Sequence, residues 1–433
     1  MTANGRLWPL LCFVFSSFAC AGEVAWQEID DLAADIQPRV IDWRRHFHAH
    51  PELSNRETET ARTVAAELER LGLIVETGVA HTGVVGLLKG KHPGPLVAVR
   101  SDMDALPVSE QTGLDFASQV TAEFNGQTVG VMHACGHDSH MAMVLGVAEV
   151  LTAVRDNLAG DVLFIFQPAE EGAPQGEEGG AELMLQEGLF ERYRPAAIFG
   201  LHIGLNMPGG RLAVRSGPAM AAVDEFRIAV KGRQTHGARP WGGVDPIVTG
   251  AQIVLGLQTI ASRQIEITKA PYIITVGQFT AGIRNNIIPD QARLWGTIRT
   301  FDEVMQQDIH RRIAQTAEHI AASAGATAEV TIRQQYPATV NDPELTARMM
   351  PVLEKVTGPN GVVTPDPVTG AEDFSFFARQ VPGLYLFLGA ARPGDENYKN
   401  LPGNHSPLFD IHEPNMELGV RALSHLLVGY LHG

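Results

Sequence analysis

The sequence predicts an α/β protein with a mostly parallel sheet and a second, smaller domain of the ferredoxin-like type inserted into it. Three short apolar runs, typical of buried strands, alternate with helical segments between residues 96 and 199. Such alternation favours a parallel sheet with helices on its faces. The chain has 433 residues, which is more than one hydrophobic core usually accommodates.

Helical periodicity accounts for the segments around these strands. Apolar residues recur at helical spacing over 29–47 and again over 57–71, where Gly72 ends the pattern. Pro38 is expected to break or kink the first helix, because proline lacks a backbone donor and its ring clashes with the preceding turn. A further helix is predicted over 141–154, directly after a run of cysteine and histidine residues.

The three predicted strands are each followed by polar residues. The strands cover 96–99, 162–166 and 196–199. In parallel sheets, ligands bind beyond the carboxyl ends of the strands. We therefore expect the functional site at that edge, where the strands deliver Asp102, Glu170, Glu171 and His202.

The segment 221–334 has its own order of elements and is predicted to be the inserted domain. Strands are predicted over 226–230, 272–279, 292–299 and 328–332, and helices over 245–260 and 304–322. This β-α-β-β-α-β order is that of the ferredoxin-like motif. The larger domain is predicted to comprise 22–220 and 335–433.

Composition limits the classes of protein to which the chain can belong. Hydrophobic residues make up 45% of the sequence and charged residues 19%, which is ordinary for a soluble globular protein. The formal net charge is −16, and no basic segment stands out, which argues against nucleic acid as a partner. We expect a small-molecule partner instead.

The first residues are typical of a secretory signal peptide over 1–21. Arg6 precedes an apolar run over 7–18, and Ala19-Cys20-Ala21 supplies the small residues of a cleavage site. The run is short for a membrane span, so we expect no integral membrane domain in the mature chain and predict export to the periplasm or the medium. An uncleaved anchor is the alternative. Lipidation at Cys20 is a third interpretation, for which Ser17 is a poor match.

Cleavage after Ala21 would leave Cys135 as the only thiol among the three cysteines, so no internal disulfide could form. Cys135 lies in a run over 133–140 that also holds three histidines. A thiol with imidazoles suits zinc and its neighbours in the first transition row. Cys135 and His137 flank a glycine, in a loop that can turn both toward one metal. His133 and His140 are expected to support them, and an inert buried thiol is the alternative.

Two adjacent carboxylates follow the second strand. The side chains of Glu170 and Glu171 diverge, so one can bind metal while the other meets an attacking water as general base. A solvated acidic turn, such as Glu177 and Glu178 form, is the alternative interpretation. His202 follows an apolar strand, where a core histidine is the alternative.

Other histidines are weaker candidates when taken alone. His405 lies in a polar loop, and His236 lies among turn residues of the inserted domain, from which it could reach over a bound substrate. A surface loop histidine is the alternative for His236. His46 and His50 are four residues apart and could form a rival site. The sequence contains no nucleophile elbow, phosphate-binding loop or H-E-x-x-H helix.

At these residues the chain resembles the amidohydrolase branch of metallopeptidase family twenty. That branch contains hippurate hydrolases, N-acyl-amino-acid amidohydrolases and plant auxin-conjugate hydrolases. The resemblance extends over about 43–412, and its motifs lie at 44–48, 51–54, 100–107, 133–138, 167–172, 200–202, 235–237, 285–289, 370–374 and 404–406. So many motifs in order exclude a chance match.

The resemblance implies two divalent metal ions per subunit and assigns a role to each candidate residue. The implied metal ligands are Cys135, His137, Glu171, His202 and His405. Glu170 would be the base, and Asn286 would contact the substrate. His236 would stabilise the tetrahedral intermediate, and a homodimer interface made by the inserted domain is one way to bring it there. Arg100 replaces a metal-binding histidine of the wider family, which makes Asp102 a supporting catalytic candidate.

The expected function is therefore metal-dependent hydrolysis of the amide bond of N-acyl amino acids, whether hippurate-like or aminoacylase-like. The products would be a carboxylic acid and a free amino acid. A metal carboxypeptidase or dipeptidase of the same family is one alternative, and a non-catalytic metal-dependent binding protein is another. Glu170 argues against the latter, because a metal store needs no spare carboxylate. Zinc, manganese, cobalt and nickel all suit the ligands.

Overall fold

The structure is a computed structural model that describes residues 24–204 and 206–433. The predicted signal peptide lies outside the described residues. They contain ten α-helices: α1 Trp26–Ala49, α2 Thr58–Arg70, α3 His137–Ala153, α4 Gly180–Gln186, α5 Leu189–Tyr193, α6 Pro246–Thr259, α7 Glu303–Ser323, α8 Pro343–Thr357, α9 Phe374–Ala378 and α10 Met416–His432. None of these helices is long and apolar enough to cross a membrane.

The described residues also contain eighteen strands. They are β1 Ile74–Val79, β2 Gly83–Leu88, β3 His92–Asp102, β4 Thr121–Phe124, β5 Gln127–Gly130, β6 Ala159–Gln167, β7 Ile198–Gly204, β8 Leu212–Ala213, β9 Gly217–Met220, β10 Ala222–Lys231, β11 Thr235–His236, β12 Tyr272–Ala281, β13 Ile287–Ile288, β14 Gln291–Thr300, β15 Thr327–Tyr336, β16 Thr339–Asn341, β17 Val362–Val363 and β18 Gly383–Gly389.

The large sheet has eight strands in the order β1-β2-β6-β3-β7-β18-β8-β17. Its four central strands, from β6 to β18, are mutually parallel, and antiparallel strands flank them. The predicted mostly parallel α/β fold is thus confirmed. Because both faces are covered, the central strands are apolar throughout rather than alternating.

Helices form a hydrophobic core on each face of this sheet. Along β3, Val97 and Val99 pack into the core shared with α1, α3, α8 and α10, whereas Ala98 packs into the core shared with α4, α5 and α9. This alternation follows from the two-residue period of a strand. Of the two expected effects of Pro38, a break does not occur, because α1 continues through it from Trp26 to Ala49. Burial of Ile29, Ala33, Val40 and Phe47 against the core compensates for the missing backbone hydrogen bond.

The second sheet lies between Ala222 and Tyr336 and has the order β12-β14-β10-β15, with every pair antiparallel. Helices α6 and α7 pack on one face around a separate core that includes Phe226, Ile253 and Ile309. The elements occur in the expected β-α-β-β-α-β order. No helix of the described residues covers the opposite face, and the outward side chains of β14 point from it. The domain boundaries at 221 and 334 stay a prediction.

Candidate active site

Backbone geometry brings Cys135 and His137 together. The residue between them, Gly136, has a φ of +94°, and a Cβ there would lie 2.6 Å from the Ile203 side chain, so only glycine fits. Helix α3 begins at His137, earlier than predicted, so His137 occupies its first turn and not a loop. His202 lies inside β7 rather than after its end, and its Nε2 is 3.4 Å from the Cys135 Sγ.

The five predicted metal ligands lie in overlapping groups whose donor atoms are within 4.8 Å of one another. One group joins Cys135 with His137 and His202, and a second joins Cys135 with Glu171 and His405. His137 also lies in a group with Glu170 and Glu171. Cys135 and His137 are therefore shared between groups, an arrangement that suits two neighbouring cations.

The hydrogen bonds of two histidines fit a bound divalent metal. His137 Nδ1 is 2.8 Å from the Asp104 carbonyl oxygen, and His202 Nδ1 is 2.8 Å from the Ile203 carbonyl oxygen. Donation through Nδ1 leaves the Nε2 lone pair of each neutral ring for a metal. The buried Nε2 of His137 has no hydrogen-bond partner within the described residues. Thiolate, imidazole and carboxylate donors are those that zinc and its neighbours accept.

His140 and His133 differ from these ligand candidates. His140 Nδ1 lies 2.7 Å from Asp102 Oδ1, and its Nε2 accepts a hydrogen bond from the Ile203 amide at 2.8 Å. Although His140 lies in a group of donors with Asp102 and His137, it has no free lone pair. Asp102 thus holds His140 rather than facing the cavity. His133 is buried, and neither of its ring nitrogens makes a hydrogen bond to any residue that the structure describes.

The turn that carries Glu170 is held by Asp104, a residue that we did not predict. The amides of Glu170 and Glu171 donate to the two Asp104 carboxylate oxygens, each at 3.0 Å. The Tyr336 hydroxyl donates to the Glu170 carbonyl at 2.9 Å. The preceding residue, Ala169, has a φ of +54°, a left-handed conformation that a non-glycine residue adopts only when its surroundings impose it.

Glu170 is buried among other carboxylates. Burial, together with the charges of Glu372 and Glu171, raises the pKa of Glu170 well above its usual range. A carboxyl group with a raised pKa can both accept and return a proton near neutral pH. This environment suits a general base that later acts as an acid.

Below this turn, Arg100 connects several acidic residues. Its guanidinium is 1% exposed and lies 2.7 Å from Asp102 and 2.9 Å from both Glu372 and Asp373. It also donates to Gln167, the last residue of β6, at 2.9 Å. Arg100 therefore places a positive charge within a buried carboxylate cluster and connects the ends of β3 and β6 to the segment that precedes α9.

The donor groups open into a cavity of about 650 Å³ between the two sheets. Its lining includes Cys135, Glu170, Glu171, His202 and His405, together with Arg299 from β14. Arg299 is another residue that we did not predict. Its guanidinium makes no hydrogen bond or ion pair within the part of the chain that the structure describes, so an anion can bind it.

Four other candidate residues lie apart from this cavity. His236 and Asn286 are exposed and neighbour each other at the β11–β13 corner, where the Gly237 amide donates to the Asn286 carbonyl at 2.8 Å. Neither lines the cavity of the same chain. The rings of His46 and His50 face each other with centroids 4.8 Å apart. No group of three donors in the described residues includes them.

The motif over 44–48 has a structural role beside the site. Arg44 pairs with Asp138 at 2.9 Å, and His48 Nδ1 lies 2.8 Å from the same carboxylate. His48 Nε2 lies 3.1 Å from Glu110. Burial alone would lower the pKa of His48, but hydrogen bonds to Asp138 and Glu110 raise it to about 9. The protonated ring thereby connects α1 to the first turn of α3.

This raised pKa predicts a specific dependence of stability on pH. The folded-state pKa of His48, about 9, exceeds its ordinary value of 6.5, so the stabilisation is complete below pH 6.5 and is lost as the pH rises through 9. Across that range, we expect the free energy of unfolding of the wild type to fall by about 3 kcal/mol relative to that of His48→Gln. Urea unfolding of both proteins at each pH measures this difference, and parallel pH curves would contradict the assignment.

A mostly parallel α/β sheet, with clustered thiol, imidazole and carboxylate donors around one buried carboxylate, defines the molecule as a metal-dependent hydrolase. The sequence profile of peptidase family M20/M25/M40 matches residues 98–428. The chain belongs to this family. It is accordingly a hydrolase that acts on carbon–nitrogen bonds.

Similar proteins agree with this assignment. The chain is 41% identical to "Thermostable carboxypeptidase 1" of Saccharolobus solfataricus, across 93% of this chain and 97% of the relative. It is 38% identical to "N-acyl-L-amino acid amidohydrolase" of Geobacillus stearothermophilus, across 73% and 81%. Its fold is similar to the crystal structure of the YXEP protein of Bacillus subtilis, described as a dinuclear metal-binding peptidase, with a TM-score of 0.76, 34% identity and coverage of 92% and 99%. Two divalent metal ions therefore belong to the site.

Proposed function

We propose that the protein hydrolyses the amide bond of N-acyl amino acids and releases a carboxylic acid and a free amino acid. One observation carries the proposal: a single cavity is lined by four of the five proposed metal donors, by the buried Glu170 and by Arg299, whose guanidinium has no ion-pair partner among the described residues, while the fifth donor, His137, lies within 4.8 Å of these groups. The donors and Glu170 suit amide hydrolysis, and a cation nearby suits the free carboxylate of the substrate.

In this mechanism, Glu170 takes a proton from the attacking water and then returns it to the leaving nitrogen. Two divalent cations bound by Cys135, His137, Glu171, His202 and His405 would polarise the amide carbonyl and lower the pKa of that water. Asp104 and Tyr336 hold the backbone of Glu170, so its carboxylate keeps one position through both proton transfers. His236 would donate a hydrogen bond to the developing oxyanion.

The test is release of free amino acid from N-acetyl and N-benzoyl amino acids by protein of measured metal content. Dipeptides are assayed in parallel, because the relative in Saccharolobus solfataricus is named a carboxypeptidase. Preference for N-acyl amino acids supports the proposal. Cleavage of dipeptides alone would favour the carboxypeptidase or dipeptidase alternative, and substrate binding without amine release would indicate a binding protein.

Arg299 gives a prediction about substrate binding. Replacing it with methionine removes the charge that pairs with the substrate carboxylate, so we expect KM for N-acyl amino acids to rise about tenfold to a hundredfold. The value of kcat should change little, because the carboxylate takes no part in the chemistry. Steady-state kinetics of both proteins measure the effect. With the corresponding N-acyl amino acid amides, variant and wild type should have equal KM; an unchanged KM for the acids would refute the role.

We propose zinc as the native metal, since Cys135 provides a soft thiolate beside imidazoles. Manganese, cobalt and nickel are the alternatives, and metal analysis of protein purified without added metal distinguishes them.

We further propose a homodimer formed by the inserted domain. The edge strand β12 and helix α6 expose large apolar side chains, namely Ile247 (40%), Val248 (55%), Leu255 (69%), Ile273 (42%) and Phe279 (39%). An open strand edge beside an apolar surface is a common site of association. His236 and Asn286 belong to this domain and would reach the site of the partner subunit.

Mixing two inactive variants tests this arrangement. We expect Glu170→Gln and His236→Ala each to be inactive alone, whereas co-expression should restore activity. In a mixed dimer, one site then contains both Glu170 and the partner's His236. Random pairing should restore about a quarter of wild-type activity. No recovery, with mixed dimers demonstrated by differential tags, would exclude action between subunits.

Export is proposed from the pattern over 1–21 alone. N-terminal sequencing of protein recovered from the producing cells would reveal whether the chain begins after Ala21, retains the whole segment or carries a modified Cys20.

A further inference from the structure

Three cavities meet beside the candidate metal donors. Besides the cavity that holds Arg299, one of about 460 Å³ and one of about 930 Å³ open between the two sheets. Glu171 and Gln335 line all three. A substrate bound at Glu171 can therefore extend in more than one direction.

Gln335 is positioned at this junction by a bulge in β15. Tyr336 pairs with Val223 and Gln334 pairs with Asp224, so Gln335 is left without a partner on β10. Bulges change the direction of a side chain and are common next to active sites. The side-chain amide of Gln335 makes no hydrogen bond within the described residues, so it can contact a substrate.

The chemistry of the cavities indicates which part of the substrate each receives. Arg299 places the substrate carboxylate in the first cavity. The second is lined by Glu177, Glu178 and Glu182, whose charges disfavour an apolar group. The third contains a set of apolar and aromatic side chains, which we call the outer pocket: Leu53, Leu106, Pro107, Phe124 and Trp295. An apolar acyl group should therefore extend into the outer pocket.

Trp295 is held in a defined position within the outer pocket. It pairs across the sheet with Arg227, whose guanidinium lies 4.8 Å from the ring centroid. Despite this contact, Trp295 is 44% exposed, and Phe124, on the hairpin of β4 and β5, is 37% exposed. Two exposed aromatic side chains lining one cavity suit an aromatic ligand group.

The spacing along β14 sets the length of that ligand. Trp295 and Arg299 are four residues apart on the same face of the strand, which corresponds to about 13 Å. The backbone of three residues spans at most about 11 Å, and an aromatic side chain at the far end supplies the remainder. An N-acetyl amino acid is too short to reach both residues.

We propose that the outer pocket binds an aromatic side chain two residues before the C-terminal residue, so that the preferred substrates are N-acylated tripeptides from which the last amino acid is released. The proposal rests on the proposed function, because the acylated dipeptide that precedes the last residue is then the acyl group of an N-acyl amino acid. The blocked amino terminus distinguishes these substrates from the free dipeptides that test the rival function. It adds a specificity site, composed chiefly of Trp295 and Phe124, far from the reacting atoms.

Three substrates that all release leucine test the proposal: N-acetyl-Leu, N-acetyl-Ala-Ala-Leu and N-acetyl-Phe-Ala-Leu. The last two differ only in the aromatic ring. For wild-type protein with bound metal, we expect kcat/KM to be about threefold to tenfold higher for the phenylalanine peptide than for the alanine peptide. N-acetyl-Leu should be the poorest of the three.

Substitutions locate the effect. Trp295→Ala and Phe124→Ala should each remove most of the preference for the phenylalanine peptide, mainly through KM, while kcat/KM for N-acetyl-Leu stays within about twofold of wild type. Ile74→Ala, at an exposed position of β1, is the surface control. Calorimetric binding of the peptides to Glu170→Gln gives a readout that does not depend on turnover, and circular dichroism checks folding.

The possible results separate this inference from the proposed function. Hydrolysis of N-acetyl-Leu without a preference for the phenylalanine peptide would overturn only the role proposed for the outer pocket. A preference that persists in both Trp295→Ala and Phe124→Ala would have the same consequence. Failure to hydrolyse any of the three substrates, at full metal content, would overturn the proposed function and the inference together.

Discussion

Replacing Glu170 with glutamine should lower kcat on N-acyl amino acids by a factor of about 10²–10⁴ and leave the metal content at the wild-type level. The amide of glutamine keeps the size of the side chain but cannot accept the proton of the attacking water. Metal binding should persist because the five proposed ligands are untouched. The turn itself should persist as well, since Asp104 and Tyr336 hold it through backbone atoms.

Single-turnover kinetics together with metal analysis of purified Glu170→Gln measure both parts of this expectation. Glu178→Gln is a matched control, because it removes one carboxylate from the same acidic segment without touching the proposed machinery. Full activity in Glu170→Gln would show that Glu170 is not the base. Loss of metal would instead assign Glu170 to the ligand set.

Replacing Arg100 with methionine should destabilise the protein by about 3–5 kcal/mol, the usual result of leaving buried charges without their partner. Arg100 is the cation closest to Asp102, Glu372 and Asp373. Already in the wild type, burial raises the pKa of Asp373 to about 8, even though Arg100 opposes the shift. Without the guanidinium, these carboxyl groups must take up protons or separate, and either outcome disturbs the floor of the cavity.

Urea unfolding at neutral pH in the absence of metal measures the loss for Arg100→Met. Arg45→Met is the control, since Arg45 also pairs with a carboxylate, that of Glu413, but is 48% exposed; surface pairs contribute roughly 0–1 kcal/mol. The loss of unfolding free energy in Arg100→Lys should lie between those of Arg100→Met and Arg45→Met. Lysine keeps the positive charge, but its ammonium group cannot contact several carboxylates at once as a planar guanidinium does. A loss for Arg100→Met no greater than that of the control would contradict the role.

The architecture was predictable because its signals are local. The strand over 162–166 is apolar throughout because helices cover both sides of β6, and the helix over 304–322 shows its periodicity because only one side of α7 is buried. Reasoning from local periodicity nevertheless predicted some helices and strands to be shorter than they are. Helix α3 begins at His137 because Gly136 provides its turn, and periodicity contains no information about such a start.

Two functional residues were missed for different reasons. Arg299 is one of several outward residues of β14, and only the packing of the two sheets determines that it faces the cavity while Arg293 does not. Asp104, in contrast, had a signal in the sequence, because it is a second carboxylate two residues after Asp102 in the same motif. Its target, the amides of Glu170 and Glu171, is brought to it only by the pairing of β3 with β6.

The pairing of β7 with β18 has a consequence for biogenesis. Gly383 lies opposite Ile198, and the entire second sheet is translated between them. Until β18 arrives, β7 is an apolar strand with an open edge, a species prone to aggregation. Closing such a long loop is also slow. His405 follows β18 in the chain, so the donor cluster stays incomplete until β18 has been translated and has paired with β7. Metal can therefore reach its final coordination only after the sheet has closed.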